Sequence, residues 1–282
     1  LQKIDTMPSK NLLFGRFPPQ KPLVKWSGGK GREIKSFCHH YPKNFKLFIE
    51  PFVGGGAVFF NLGFTNNIIS DVHEGLVNFY KQISMGRANK IYDKVSTFEN
   101  TEEFYYYVRD KLEIDSDIMK ASRFYFLRKT AFRGMLRYNS KGKFNIPWGR
   151  YAKLNFSDLK NTFYVDLLKH TDVRLSSFEN IFEEFNDENN FVFLDPPYDS
   201  KFTDYGYCKF GEDYQRNLAN IFKETKNKCL LIIGQTPLIE ELYEGYIVDS
   251  YTKKYSFRLH SGRVGSEINT NHLIIKNYDL DK

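Results

Sequence analysis

The chain has 282 residues, 41% of them hydrophobic, and a net charge of +7. That is enough apolar material for one large core carrying a smaller insertion; no apolar run approaches the roughly 20 residues of a membrane-spanning helix, and no secretory signal stands ahead of the first ordered segment. Cys38, Cys208 and Cys229 are scattered without metal-ligand spacing, so no metal site is expected and reduced thiols in a cytoplasmic protein are. Residues 1–20, with Pro18 and Pro19, read as a loose leader. Order begins at LVKWSGGKGREIKSFCHHYP, a glycine-rich turn followed by a helix that ends before Pro42. KLFIEPFVGGGAVFFNL then reads as a buried strand, a glycine turn and a helix start, and NNIISDVHEGLVNFYKQI as a second strand, an acid at its end and a second helix. This strand–turn–helix rhythm predicts an α/β fold with a parallel sheet.

From about residue 85 to 160 the rhythm breaks. Polar and aromatic helical stretches lead into FRGMLRYNSKGKFNIPWGRY, where MLRY and KFNI flank NSKG. That pattern predicts a β-hairpin, with Asn139 and Gly142 suited to tight-turn angles, inside an inserted module. The rhythm returns with the strands DVRLSS and NNFVFLDPPY, the helix DYQRNLANIFKET, the strand KCLLIIGQT and a helix started by Pro237. IVDSYTKKYSF and NHLIIKNY are expected to close the chain as an antiparallel pair.

The positive charge is concentrated. Between Ile118 and Ser157 there are ten Lys and Arg residues (120, 123, 128, 129, 133, 137, 141, 143, 150 and 153) and no Asp or Glu, so this window alone exceeds the net charge of the whole chain. Nine aromatics are interleaved, among them Phe132, Tyr138, Phe144, Trp148 and Tyr151. Solvated basic helix faces usually mix in acids; cations with interleaved rings and no acids suit phosphates and bases.

Gly54, Gly55 and Gly56 lie between a strand and a helix, where a ligand can approach the backbone closely and a negative group is favoured. The pattern is neither G-x-G-x-x-G nor a Walker loop. Asp71 ends the next strand, where a carboxylate can accept hydrogen bonds from both hydroxyls of a ribose; the same residue is equally suited to cap the helix that begins near Glu74. Lys30, in the first glycine turn, is placed to meet a carboxylate or a phosphate.

FVFLDPPY raises a separate question, because prolines spoil a strand. Asp195 stands at the strand's carboxyl end, where sheets of this class bind ligands. Pro196 and Pro197 stop the strand and bring no N–H groups, which frees the Pro196 carbonyl to face a ligand beside the Asp195 carboxylate. Two acceptors without a donor suit an NH2 group, and Tyr198 can stack on the flat ring that carries it. An exocyclic amine is a poor nucleophile; holding both its hydrogens favours a pyramidal nitrogen that can attack a strong electrophile. In duplex DNA the base must first leave the stack.

Together these segments resemble the DNA adenine-N6 methyltransferases of the Dam and DpnII-methylase type, over about residues 22–278. KWSGGK is similar to that family's N-terminal motif, FIEPFVGGG to its S-adenosylmethionine loop, DVHEGL to its ribose-binding segment, FLDPPY to its catalytic motif and RYNSKGKFNIPWGRY to its DNA-reading hairpin, in the same order. The resemblance implies a Rossmann-like, mostly parallel sheet built from residues 21–84 and 161–282, with a mainly helical target-recognition module at 85–160. It implies Trp26, Gly28, Lys30, Phe52, Gly54, Gly56, Asp71 and Asp195 around the donor S-adenosylmethionine, and Asp195, Pro196, Pro197 and Tyr198 as the catalytic group on a flipped adenine. Lys25, Arg133, Arg137, Asn139, Lys141, Pro147, Arg150 and Tyr151 are the corresponding candidates for contact with duplex DNA. GATC is the first candidate sequence, although that family's GATC readers commonly have Asn where this chain has Arg133, and a long cation prefers guanine or phosphate. The segment DSKFTDYGYCKF after the catalytic motif is shorter than usual. A restriction endonuclease acting on the same sequence is a candidate partner, and no membrane partner is expected. Alternatives are cytosine-N4 methylation, for which Ser is usual at position 195, RNA or protein-glutamine methylation, and an inactive DNA-binding protein that keeps the fold.

Overall fold

The computed structural model describes residues 17–198, 210–255 and 268–279. The leader up to residue 16, Asp199 with the segment that follows it, and Cys208 lie outside the described residues. Seven strands form one sheet: β1 (Leu47–Glu50), β2 (Asn67–Asp71), β3 (Thr171–Leu175), β4 (Asn190–Leu194), β5 (Lys228–Gly234), β6 (Ile247–Tyr255) and β7 (Ile268–Lys276). Their order is β3-β2-β1-β4-β5-β7-β6. The first five are parallel, and β7 runs antiparallel to both β5 and β6, as the closing pair of the sequence predicts. The chain leaves β1 toward β2 on one side and returns to β4 on the other. The carboxyl ends of β1 and β4 therefore flank a crevice at the point where strand order reverses.

The central strands are buried on both faces, which is why they read as continuous apolar runs. Phe48, Phe191, Phe193, Leu230 and Ile232 pack into the larger core. The alternate residues Ile49, Val192, Leu194, Leu231 and Ile233 face the smaller one. That second layer consists of α8 (Phe178–Glu184), α9 (Glu212–Glu224) and α10 (Pro237–Leu242). The larger core is covered by α2 (Ala57–Leu62), α3 (Glu74–Ser84) and α7 (Thr162–Lys169). Neither α7 nor α8 stood out in the sequence, although Asn161 caps α7 by accepting from the Phe163 N–H. The helix expected after WSGGK is broken into a 3-10 turn (Lys30–Arg32), the single-turn α1 (Ile34–Phe37) and a second 3-10 turn (Cys38–His40).

Residues 85–160 supply α4 (Ala88–Ser96), α5 (Glu102–Asp110) and α6 (Asp117–Thr130), followed by irregular chain. Their packing continues that of the sheet: Phe79 of α3 stacks on Tyr125 of α6 with centroids 5.0 Å apart, and both belong to the larger core. The hairpin is present but short, closed by the Tyr138–Phe144 bridge and by bonds between Asn139 and Lys143 and between Asn145 and Arg137. Its turn differs from expectation at one residue. Gly142 takes the positive φ (68°), whereas Asn139 works through its side chain, whose Oδ1 accepts the N–H groups of Lys141 and Lys143.

The basic window divides in two. Lys120 pairs with Glu74, Lys129 with Asp158, and Arg123 donates to the carbonyls of Val108 and Arg109. Arg128 is 1% exposed; it donates to the carbonyls of Lys25, Gly134 and Met135 and lies over the Trp26 ring at 5.4 Å. These four hold the protein together. Arg133, Arg137, Lys141, Lys143, Arg150 and Lys153 are exposed, all on or beside the hairpin. Replacing Arg128 by Met would leave three carbonyls, that of Gly134 buried and those of Lys25 and Met135 partly buried, without that donor, at about 1 kcal/mol each. The expected result is a fall in unfolding free energy of about 3 kcal/mol, read from the urea midpoint at unchanged slope.

Candidate active site

A cavity of about 550 Å³ opens at the carboxyl ends of β1, β2 and β4. It is lined by the first glycine turn, by the FVGG turn, by Asp71 and by the segment Asp195–Tyr198, which the sequence places up to 172 residues apart. Of the expected donor-site residues, Trp26, Gly28, Lys30, Phe52, Gly54, Asp71 and Asp195 all line it. Gly56 does not. It precedes α2 with φ 70°, and a Cβ there would meet the Phe60 ring at 2.9 Å, so it serves the turn rather than the cavity. Phe178, Phe210 and Tyr214 add an aromatic wall that no sequence motif signalled.

Gly54 shows why this turn cannot carry side chains. Its φ is 47°, and a Cβ would stand 2.6 Å from Cδ1 of Trp26, whose indole lies across the turn. The Gly54 N–H donates to Asp71 Oδ2 at 3.0 Å, and the His73 N–H donates to Asp71 Oδ1 at 2.9 Å. Asp71 is thus fixed by two backbone groups and does not cap the helix. That role belongs to His73, whose Nδ1 accepts from the Leu76 N–H. With Nδ1 accepting, the neutral ring carries its proton on Nε2, which donates to the Tyr138 hydroxyl of the hairpin at 2.6 Å. Burial, with Arg128 nearby, lowers the His73 pKa to about 4 and keeps the ring neutral.

Lys30 is 1% exposed and meets a carboxylate, one of the two partners its motif allowed: Nζ lies 2.5 Å from Asp195 Oδ1, 3.2 Å from the Gly28 carbonyl and 4.9 Å from the centre of the Tyr198 ring. Burial raises the Asp195 pKa, opposed by the charge and hydrogen bond of Lys30. Gln215 donates to the Pro197 carbonyl at 2.9 Å and leaves the Pro196 carbonyl outside the described hydrogen bonds. Two further acids escaped the sequence reading. Glu50, at the end of β1, accepts the Phe59 N–H, and burial together with Asp195 drives its pKa well above the ordinary range. Glu33 is buried behind Lys30, outside the cavity lining. Burial opposes its ionisation, but hydrogen bonds from His272, Lys253 and Tyr251 and the charge of Lys30 outweigh it and hold the pKa at about 2.

The hairpin candidates form a separate surface that meets the cavity at Lys25 and Trp26. The Lys25 ammonium lies 4.9 Å over the Tyr151 ring. Pro147 accepts the Phe132 N–H, which ties the return strand to the end of α6. Arg133 and Arg150 are the two described residues other than glycine with positive φ, both 54°. Arg137 donates to Asn145, and Lys141 and Asn139 sit at the exposed turn.

Burial raises the Asp71 carboxyl from 3.8 to about 6 against the bonds from His73, Gly54 and Val72. The folded chain therefore holds this proton more tightly than the unfolded chain, and stability linked to Asp71 is full below about pH 4 and is lost as the pH rises through 6. Relative to Asp71→Asn, the wild type is expected to lose about 2 kcal/mol of stability between pH 4 and pH 7, measured by urea unfolding across that range.

The chain matches known proteins in sequence over most of its length. The profile of the D12 class N6 adenine-specific DNA methyltransferases matches residues 26–257. The chain is 56% identical over 261 residues to the Type II methyltransferase M.CviBI of Paramecium bursaria Chlorella virus NC1A, covering 92% of this chain and all of that protein. It is 35% identical to the Type II methyltransferase M.MjaIII of Methanocaldococcus jannaschii, over 83% of this chain and 91% of the relative. It is also 31% identical to a DNA adenine methylase of Haemophilus influenzae, over 80% of this chain and 83% of the relative.

Proposed function

We propose, from the premise that the chain belongs to the D12 class of N6 adenine-specific DNA methyltransferases, that it takes its methyl group from S-adenosylmethionine bound in the cavity and transfers it to an adenine rotated out of the DNA duplex. That it is an adenine-specific DNA methyltransferase follows from the family; the donor, the flipping and the residue roles are our reading. The observation that carries the reading is the meeting of Asp195, Pro196 and Tyr198 with Asp71 and the glycine turn in one cavity at the switch point of the sheet.

The cavity fits a cationic nucleoside. Its described lining holds Glu50, Asp71, Glu179 and Asp195 against one ammonium, Lys30. The Gly28 turn, open where a side chain would stand, lets a ligand reach the backbone, and Asp71 presents a fixed carboxylate to a ribose. When bound, S-adenosylmethionine would supply an electrophilic methyl group. Trp26, Phe52 and Gly54 would hold it, with Asp71 on its ribose.

Asp195 and the Pro196 carbonyl would accept the two N6 hydrogens of the target adenine while Tyr198 stacks on the ring. The N6 lone pair, drawn out of conjugation, would be free to attack the methyl group that the donor would supply, the sulfur–methyl electron pair staying with the donor's sulfur. The nitrogen then carries an extra proton, which Asp195 is placed to accept on the oxygen that Lys30 does not occupy. The charge and hydrogen bond of Lys30 favour the ionised form of that carboxylate against the effect of burial.

Residues 85–160 would serve as the target-recognition module, with Lys25, Arg137 and Tyr151 near bases and Arg133, Lys141 and Arg150 near phosphates or guanine. The six exposed cations around the hairpin support this. A nuclease partner for the same sequence and a cytoplasmic location follow only from this role in DNA modification. Among the described residues, no helix is long and apolar enough to cross a membrane.

Asp195→Ala is expected to lower the rate of methyl transfer to DNA by roughly 10²–10⁴-fold, followed by mass-spectrometric detection of N6-methyladenine; a wild-type rate would overturn the assigned chemistry. Sequencing that maps N6-methyladenine in a host expressing the chain reads the recognised sequence. GATC is the starting candidate, and a different motif retires it while leaving the chemistry intact.

A further inference from the structure

Behind the cavity, outside its lining, a buried group joins the first turn to the antiparallel edge of the sheet. Glu33 follows directly on the 3-10 turn that carries Lys30 and is 6% exposed. Its Oε2 accepts from the Tyr251 hydroxyl at 2.7 Å and lies 2.9 Å from His272 Nδ1, while Oε1 takes the ammonium of Lys253. Tyr251 and Lys253 come from β6 and His272 from β7, about 220 to 240 residues away in sequence. His272 is fully buried, and its ring packs edge-on against Tyr198 at 5.3 Å and 89°. The Glu33 N–H donates to the Lys30 carbonyl at 2.7 Å and so closes the turn from which the Lys30 ammonium reaches Asp195 at 2.5 Å.

Stability alone does not account for this arrangement. A buried carboxylate among several donors can often be replaced by well-packed apolar residues without loss. What an apolar cluster would not do is pin two particular side chains. Asp195 must hold its free oxygen toward an amino group while its other oxygen is engaged, and Tyr198 must keep its face parallel to a base. Each is flanked by one arm of the same cluster: Lys30 on Asp195, and the His272 ring on Tyr198.

We infer that Glu33 and His272 are positioning residues for methyl transfer, Glu33 acting through Lys30 on Asp195 and His272 acting on the Tyr198 ring. This rests on the reading of Asp195 and Tyr198 as the groups that hold the adenine. The cluster contributes geometry to the chemical step and leaves donor and DNA binding to other residues. Small displacements of reacting groups are costly: a misplacement of about 1 Å can lower a rate on the order of 10²-fold.

Four variants of the full chain separate the two arms. Glu33→Gln keeps the shape and loses the charge. His272→Phe keeps a ring against Tyr198 and loses the donor to Glu33; His272→Gln keeps a donor and loses the ring. Tyr251→Phe removes one hydroxyl and serves the test even if Glu33→Gln does not fold. The readouts are single-turnover methyl transfer, KM for DNA, S-adenosylmethionine affinity by calorimetry, and the fluorescence of 2-aminopurine at the target base, which reports its stacking.

Glu33→Gln is expected to lower kcat by roughly 10- to 100-fold, with KM and donor affinity within about 3-fold of wild type; Tyr251→Phe shows the same pattern at smaller size. His272→Phe follows Glu33→Gln in rate but keeps the wild-type 2-aminopurine signal, whereas His272→Gln changes that signal. A wild-type kcat in both Glu33→Gln and Tyr251→Phe, or a parallel loss of kcat, donor affinity and thermal stability, overturns the inference. Asp195→Ala, measured alongside, distinguishes the two failures. An active Asp195→Ala defeats the underlying reading, whereas an inactive one beside a fully active Glu33→Gln defeats only the positioning role.

Discussion

A buried guanidinium organises the junction on which the remaining structure depends. Arg128 brings a planar set of donors into a place without water and spends them on the carbonyls of Lys25, Gly134 and Met135. Those carbonyls belong to the first turn and to the chain that enters the hairpin, so one side chain of α6 fixes both. Its flat face meets the indole of Trp26, which in turn covers Gly54. Lysine would not do the same, because its compact ammonium has neither the planar fork of donors nor the flat face that lies on the indole. The site and the basic surface are therefore placed relative to each other by a residue that belongs to neither.

The cavity itself is held in an unfavourable electrostatic state. Burial raises the carboxyls of Glu50, Asp71 and Asp195, and among the described lining residues the one ammonium, that of Lys30, opposes the rise at Glu50 and Asp195. Such a site is stable only because backbone N–H groups of Gly54, Phe59 and His73 hold two of the acids in place. The same arrangement favours a positively charged ligand, whose arrival would offset the desolvation that burial imposes on the carboxylates. Local destabilisation of this kind is common where a protein must bind rather than merely fold.

Much of the fold and the lining of the cavity was legible in the sequence because strand ends, glycine runs and prolines are local signals. FIEPFVGGG, DVH and FLDPPY each end a buried strand, and a parallel sheet brings such ends together. Three things were not legible. Arg128 looks like its neighbours in a basic window, and only packing distinguishes a buried cation from an exposed one. Asp71 and His73 are two residues apart, and nothing in their identities tells which of them caps α3. Glu33 and His272 are separated by most of the chain and meet only because β7 enters the sheet antiparallel beside β5. The place of Gly56 outside the lining has the same origin, since a run of three glycines does not say which of them faces the cavity.

His73 serves three masters at once: its ring caps α3, its N–H holds Asp71, and its Nε2 reaches Tyr138 at the root of the hairpin. A substitution there would have to be answered in all three places together. The tip of the hairpin, by contrast, is closed only by Asn139 and Gly142 and projects exposed cations into solvent. The result is a scaffold with a fixed root and an exchangeable tip. Under the proposed role of the hairpin in target recognition, new preferences would be explored at the tip by single steps, while the root would be inherited whole.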